Sequence, residues 1–158
     1  MTQDAASNTG PNMLMERAFA AAKDAGARGE VPVGAVIVDS RDGRILAQAG
    51  NRTEADHDPT AHAEVLAIRR ACRELGEARL PSCDLYVTLE PCAMCAGAIS
   101  FARLRRVIFA AYDPKGGGVE HGARFFERAT CHHRPEVVGG VEERRAQDML
   151  KAFFADRR

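Results

Sequence analysis

The residues of this 158-residue chain best suited to do chemistry lie in two short stretches. One is His62-Ala63-Glu64, inside HDPTAHAEV; the other is Pro91-Cys92-Ala93-Met94-Cys95, inside LYVTLEPCAMCAGAI. Together they offer one imidazole, two thiols, and a carboxylate beside the imidazole that is free for other work. Zinc binds well to three N and S ligands of this kind, and a fourth position left to water makes the site catalytic rather than structural. His62, Cys92 and Cys95 are therefore the candidate ligands, one zinc per chain, and Glu64 the candidate proton shuttle. Zinc lowers the pKa of its water to roughly 7. Glu64 would take that proton, leaving hydroxide as the nucleophile, and would then hand protons on to the group that departs. That is base and acid work by one group in two steps.

A structural zinc is the competing reading, and it would close with a fourth Cys or His. Cys72, Cys83, Cys131, His57, His121, His132 and His133 are available by type, yet none forms a second spaced pair with the C-x-x-C. The CHHRPE run is a weak second cluster, because adjacent histidines in a strand point to opposite faces.

These groups need elements to hold them. Cys92 and Cys95, three apart, share one face of a helix. Pro91 suits the first helical position, where a missing N–H costs nothing, and this puts Cys92 in the first turn, where the helix dipole favours thiolate. Glu90 is expected to cap that helix or to sit behind the ligands. Asp58-Pro59-Thr60 reads as cap, proline and start of another helix, running through His62 to about Leu75. Two helix N-termini are thus expected to meet at the metal.

The order His-x-Glu … Pro-Cys-x-x-Cys is the known signature of zinc-dependent nucleobase deaminases. Here the chain resembles the bacterial tRNA-specific adenosine deaminases, which convert adenosine to inosine at the wobble position of an anticodon. The resemblance includes Glu30-Val31-Pro32-Val33-Gly34-Ala35-Val36, Asn51-Arg52, residues 57–64, residues 85–98, Asp113-Pro114-Lys115 and the terminal Phe153-Phe154 with arginines after it. It implies that His62, Cys92 and Cys95 bind zinc and that Glu64 moves protons. It also implies that Asn51 hydrogen-bonds the flipped adenine, that the Ala63 backbone N–H orients base or water, and that Asp113 touches a neighbouring ribose. Lys115, and the last helix with Phe153, Phe154 and Arg157, fall where the family holds the anticodon stem-loop. A homodimer in the cytoplasm is implied as well. The chain departs from the family at Tyr112, in place of a basic or small residue, and over GGGVEHGARFFERATCHHRPEV.

Composition sets limits. The chain is 46% hydrophobic and 28% charged, ordinary for a globular domain long enough to bury a core. No apolar run approaches a membrane span, and MTQDAASNTG lacks the basic start and apolar centre of an export signal. Five cysteines, two of them candidate ligands, fit a reducing compartment. Net charge is zero, from 22 basic and 22 acidic residues, so any nucleic-acid contact rests on a local patch.

Along the chain, residues 1 to about 11 read as a disordered tail, and residues 12–158 as one domain. From Asn12, MLMERAFAAAKDAGAR has helical spacing. Residues 31–39 read as a buried strand and residues 44–51 as its hairpin partner. Gly34 and Gly50 suggest close backbone approach, either to substrate or at a bulge. Strands over 84–89, 105–112 and 135–141 alternate with helices over 60–75, 91–103 and 142–154, and a short helix is expected within 122–128. Residues 115–118 read as a flexible loop. The order α-β-β-α-β-α-β-β-α gives a three-layer α/β/α, cytidine deaminase-like domain around a mixed sheet of about five strands.

Two alternatives stay open. One is a deaminase of free guanine, cytosine or a nucleoside on the same fold. The other is a zinc-stabilised RNA-binding module without catalysis, against which Glu64 argues. Riboflavin-pathway deaminases place the second cysteine later, so PCAMC disfavours them.

Overall fold

The structure, a computed structural model, describes residues 10–157. The expected tail lies outside the described residues except for Gly10 and Pro11. These already cap and open the first helix, α1 (Pro11–Ala27), two residues earlier than the Asn12 cap read from the sequence. Proline serves at that position because its absent N–H would have no helical partner.

The other elements are β1 (Gly34–Asp39), β2 (Ile45–Gly50), α2 (Ala63–Leu75), β3 (Cys83–Leu89), α3 (Ala93–Ala102), β4 (Arg106–Ala111), a short 3₁₀ turn (Phe125–Glu127), β5 (Glu136–Val138) and α4 (Glu143–Ala155). The five strands form one sheet in the order β2-β1-β3-β4-β5. β1 runs antiparallel to both β2 and β3, whereas β3, β4 and β5 are parallel. It follows that β2, β3 and β4 all point the same way, and their C-terminal ends share one edge of the sheet. Open α/β sheets place their sites at such an edge.

Strand alternation divides the core in two. Ala35, Ile37, Leu85, Val87, Val107 and Phe109 face one side, where Ala63, Ala67 and Ala71 of α2 and Ala96 and Ile99 of α3 cover them. Val36, Val38, Tyr86, Ile108 and Ala110 face the other side and meet Leu14, Met15, Ala18 and Phe19 of α1 with Ala146 of α4. Each large side chain buried this way contributes about 1.5–3 kcal/mol. The result is the expected three-layer arrangement, α2 and α3 on one face and α1 and α4 on the other.

The close approach read at Gly34 and Gly50 is made by α1, not by substrate or a bulge. A Cβ on Gly34 would overlap the Ala18 carbonyl oxygen, and one on Gly50 would lie 2.7 Å from the Ala21 oxygen. Among the described residues, no helix is long and apolar enough to cross a membrane.

Candidate active site

The two expected half-sites come together at the shared sheet edge. Both helices begin later than their sequences suggest: α2 at Ala63, with His62 at its N-cap, and α3 at Ala93, with Cys92 at its N-cap. Asp58 does not cap α2. Its carboxylate instead accepts the Thr60 N–H at 2.8 Å and the Thr60 hydroxyl at 2.7 Å, closing a separate turn. Asp58-Pro59-Thr60 thus forms a tight turn three residues ahead of the helix. Cys92 accordingly precedes the first turn and Cys95 lies within it.

The sulfurs of Cys92 and Cys95 lie 3.6 and 3.5 Å from His62 Nδ1. All three donor atoms are within 4.8 Å of one another. Tetrahedral zinc, with Zn–S near 2.3 Å and Zn–N near 2.0–2.1 Å, separates sulfur from nitrogen by about 3.6 Å. The donor set therefore fits zinc in type and spacing. Charge fits too: the Cys92 thiol is pulled down to about 4, first by hydrogen bonding from Cys95 and then from His62 and the Cys95 backbone N–H. The proton retained by Cys95 and burial push its thiol up. The pair thus holds a thiolate at neutral pH, which a divalent cation needs.

Glu64, in the first turn of α2, is only 4% exposed. Burial pushes its carboxyl above the ordinary range, opposed by a backbone hydrogen bond. It lines a cavity of about 320 Å³ with His62, Cys92, Asn51, Val31 and Asp113. Asn51 is fixed at both ends: its Oδ1 accepts the Ala63 N–H at 2.8 Å and its Nδ2 donates to the Val31 carbonyl at 3.2 Å. The Ala63 N–H, expected to orient base or water, is thus engaged with Asn51. One N–H of the Asn51 amide remains for a ligand.

Asp113 stands at the end of β4 on the cavity rim. Its Oδ1 accepts the N–H groups of Lys115 and Gly116 at 3.2 and 3.0 Å. A second cavity, about 420 Å³, shares Val31, Leu89, Asp113 and Gly116 with the first and runs to Lys115, Leu150 and Phe154. Phe154 therefore reaches the groove that leads to the site. Phe153 lines none of these cavities; the Arg157 guanidinium lies 3.5 Å over its ring. Arg157 itself lines a further cavity with Lys115 and Phe154.

Two features differ from the sequence reading. Glu90 does not cap α3, though it lines the same cavity as His62 and Cys92. Its carboxylate accepts the backbone N–H groups of Asp113, Val119, Glu120 and His121 and pairs with His121 Nδ1 at 2.8 Å. The glycine run it grips is not a loose loop: Gly117 donates its N–H to Asp113 and Gly118 to Pro91. A Cβ on Gly118 would sit 2.5 Å from the Ala93 nitrogen, so the segment lies directly on the N-terminus of α3. Glu30, quoted only as part of a resembling stretch, is likewise a buried anchor, accepting the N–H groups of Glu54 and Ala55 behind Asn51. A glutamate beside a motif was the available signal for Glu90, but its partners some 30 residues away were not. The CHHRPE run forms a clasp in which Cys131 and His133 meet Ser100, and the His133 ring bonds to the Leu104 carbonyl at 2.6 Å.

Comparison with known proteins agrees with this geometry. Residues 10–111 match the model for the cytidine and deoxycytidylate deaminase zinc-binding region. The tRNA-specific adenosine deaminase of Agrobacterium fabrum is 56% identical over 145 residues, covering 92% of this chain and 94% of that one. A structure from work on A-to-I editing by tRNA:A34 deaminases at the wobble position superposes with a TM-score of 0.85 at 56% identity, over 87% of this chain and 99% of that one. The guanine deaminase of Bacillus subtilis superposes less well, with a TM-score of 0.63 at 34% identity over 94% of each chain. The chain belongs to the tRNA-specific adenosine deaminases, within the zinc-binding cytidine and deoxycytidylate deaminase family.

Proposed function

We propose that this protein hydrolyses adenosine to inosine at the wobble position of a tRNA anticodon loop. The observation that carries the chemistry is the His62–Cys92–Cys95 triangle, spaced for zinc, with the buried Glu64 carboxyl in the same cavity. His62, Cys92 and Cys95 would hold one zinc per chain, which when bound supplies an activated water at neutral pH. Glu64 takes a proton from the attacking water, delivers it to the purine ring nitrogen, and passes a second to the amine that leaves as ammonia. Its buried position suits this, because a raised carboxyl pKa lets one group serve as acid as well as base.

Asn51, held by Ala63 and Val31, directs its remaining N–H at an acceptor on the base. Ala63 thereby positions the base through Asn51. Asp113 offers a carboxylate oxygen at the rim to a ribose hydroxyl, the group that distinguishes RNA from DNA. Lys115, Phe154 and Arg157 line the groove beyond and suit a splayed loop, with Phe154 as a stacking surface and Phe153 holding Arg157 in place. An anticodon loop is a reasonable source for the base, since extruding an unpaired nucleotide costs less than opening a duplex.

The same reading includes a homodimer. α3 carries no charged side chain, yet Phe101 is 74% exposed and Met94 38%, one above the other at i and i+7. An apolar helix face of this kind marks a protein contact. All five cysteines are free, in keeping with a cytoplasmic setting. The test is deamination of a synthetic stem-loop with adenosine at the wobble position, beside free adenosine, guanine and cytosine. Inosine only in the stem-loop supports the reading; turnover of a free base overturns the RNA assignment.

A further inference from the structure

Beside Asn51 in sequence, Gly50 and Arg52 line another cleft, of about 180 Å³, together with Arg28 and Arg70. Its floor is small: Ala21, Ala49 and Gly50. Asp24 is the one carboxylate in the lining. Arg52 pairs with Asp56, which lies outside the lining. Arg28 and Arg70 have no ion-pair partner among the described residues. They hydrogen-bond instead to main-chain carbonyls, Arg28 to Asn51 at 3.2 Å and Arg70 to Gln48 at 2.6 Å. A guanidinium has five N–H donors, so most of theirs remain for an anion. Arg70 also shields the open edge of β2, a role that needs only one of them.

Resting on the RNA reading above, we infer that this cleft takes a phosphodiester of the RNA strand flanking the base in the catalytic cavity. Position supports this. Gly50 and Arg52 line the cleft, while Asn51 between them lines the catalytic cavity, so both adjoin the end of β2. Charge supports it as well. The chain has no net charge, and a binder of RNA then needs a local excess of cations close to the reacting base. Paired guanidinium forks are the geometry that phosphate oxygens accept.

The experiment measures kcat/KM on the wobble stem-loop across a salt series for the unaltered protein and for Arg28→Gln with Arg70→Gln. Both residues are exposed, so the pair is expected to fold. A control, Arg73→Gln with Arg79→Gln, removes the same charge from the far end of α2 and the loop after it. At low salt the first pair should lose roughly tenfold in kcat/KM, carried by KM, and its slope against log salt should be shallower by about 1. The control should lose much less. Equal losses in both pairs would mean general charge and overturn the site. A first pair indistinguishable from the unaltered protein would overturn it while leaving the deaminase reading intact. Inorganic phosphate bound through Arg28 and Arg70, with RNA kinetics indifferent to them, would make this a free-anion site and overturn the RNA assignment. An unaltered protein that neither binds nor deaminates the stem-loop would overturn the parent reading, and this one with it.

Discussion

Glu64 and Asp39 are both buried carboxyls, and their surroundings push them in opposite directions. Glu64 is raised, first by burial and further by the neighbouring Cys92 thiolate, as a proton carrier should be. Glu64→Ala leaves His62, Cys92 and Cys95 in place, so zinc content and fold should persist while kcat falls about 10²–10⁴-fold. Metal analysis and single-turnover assays of one sample check this; near-normal activity would remove Glu64 from the mechanism. Asp39 is held down to about 2 from 3.8, first by the side chain of Arg41, whose Nη2 and Nε reach its oxygens at 2.7 and 3.0 Å. Its folded pKa lies below the unfolded one. The stabilisation is therefore fully present above about pH 4 and is lost as pH falls through about 2. The stability gap between the unaltered protein and Asp39→Asn, read from urea midpoints, should shrink over that window; a constant gap would contradict the assignment. Cys83, pushed up to about 11 by burial, stays a thiol and should resist alkylation at neutral pH.

At the scale of elements, the site is made by strand ends rather than by helices alone. β2, β3 and β4 deliver Asn51, Cys92 and Asp113 to one edge, and α1 fixes the sheet from behind by packing on Gly34. Gly34→Ala should cost about 2–3 kcal/mol, because the added methyl meets the α1 main chain, which cannot yield as a side chain does. A lower urea midpoint at unchanged slope is the expected result; an unchanged midpoint would refute the close contact. Much of this was legible in the sequence. Continuous apolar runs pointed to the strands, and ligand chemistry pointed to the His62, Cys92 and Cys95 triangle that the fold brings together. Helix starts were misread because Asp58-Pro59-Thr60 and Pro91 are good helix openers locally, while the folded chain uses them to steer His62 and Cys92 into N-cap positions. Glu90 and Glu30 were illegible as anchors: their partners are backbone N–H groups, which carry no side-chain signature. The same holds for the 113–121 segment, whose glycines read as looseness but are required by contact with Glu90 and α3.

For the molecule as a whole, balanced charge and the exposed apolar face of α3 bear on the associations proposed above. On the homodimer reading, the unaltered protein should sediment as a dimer and Phe101→Glu as a monomer, since a charge set into an apolar contact is desolvated without a partner; an unaltered protein that sediments as a monomer would contradict that reading. The catalytic cavity and the groove to Phe154 share Val31, Leu89, Asp113 and Gly116, a continuous surface suited to an RNA loop more than to a free base. The most direct test follows zinc content and wobble-adenosine deamination in the same preparation as metal is stripped by chelator and restored. The expected result is about one zinc per chain, with inosine formation falling and returning in proportion to it. Inosine formation that persists without the metal, or a fully loaded protein inert on the stem-loop, would contradict the account.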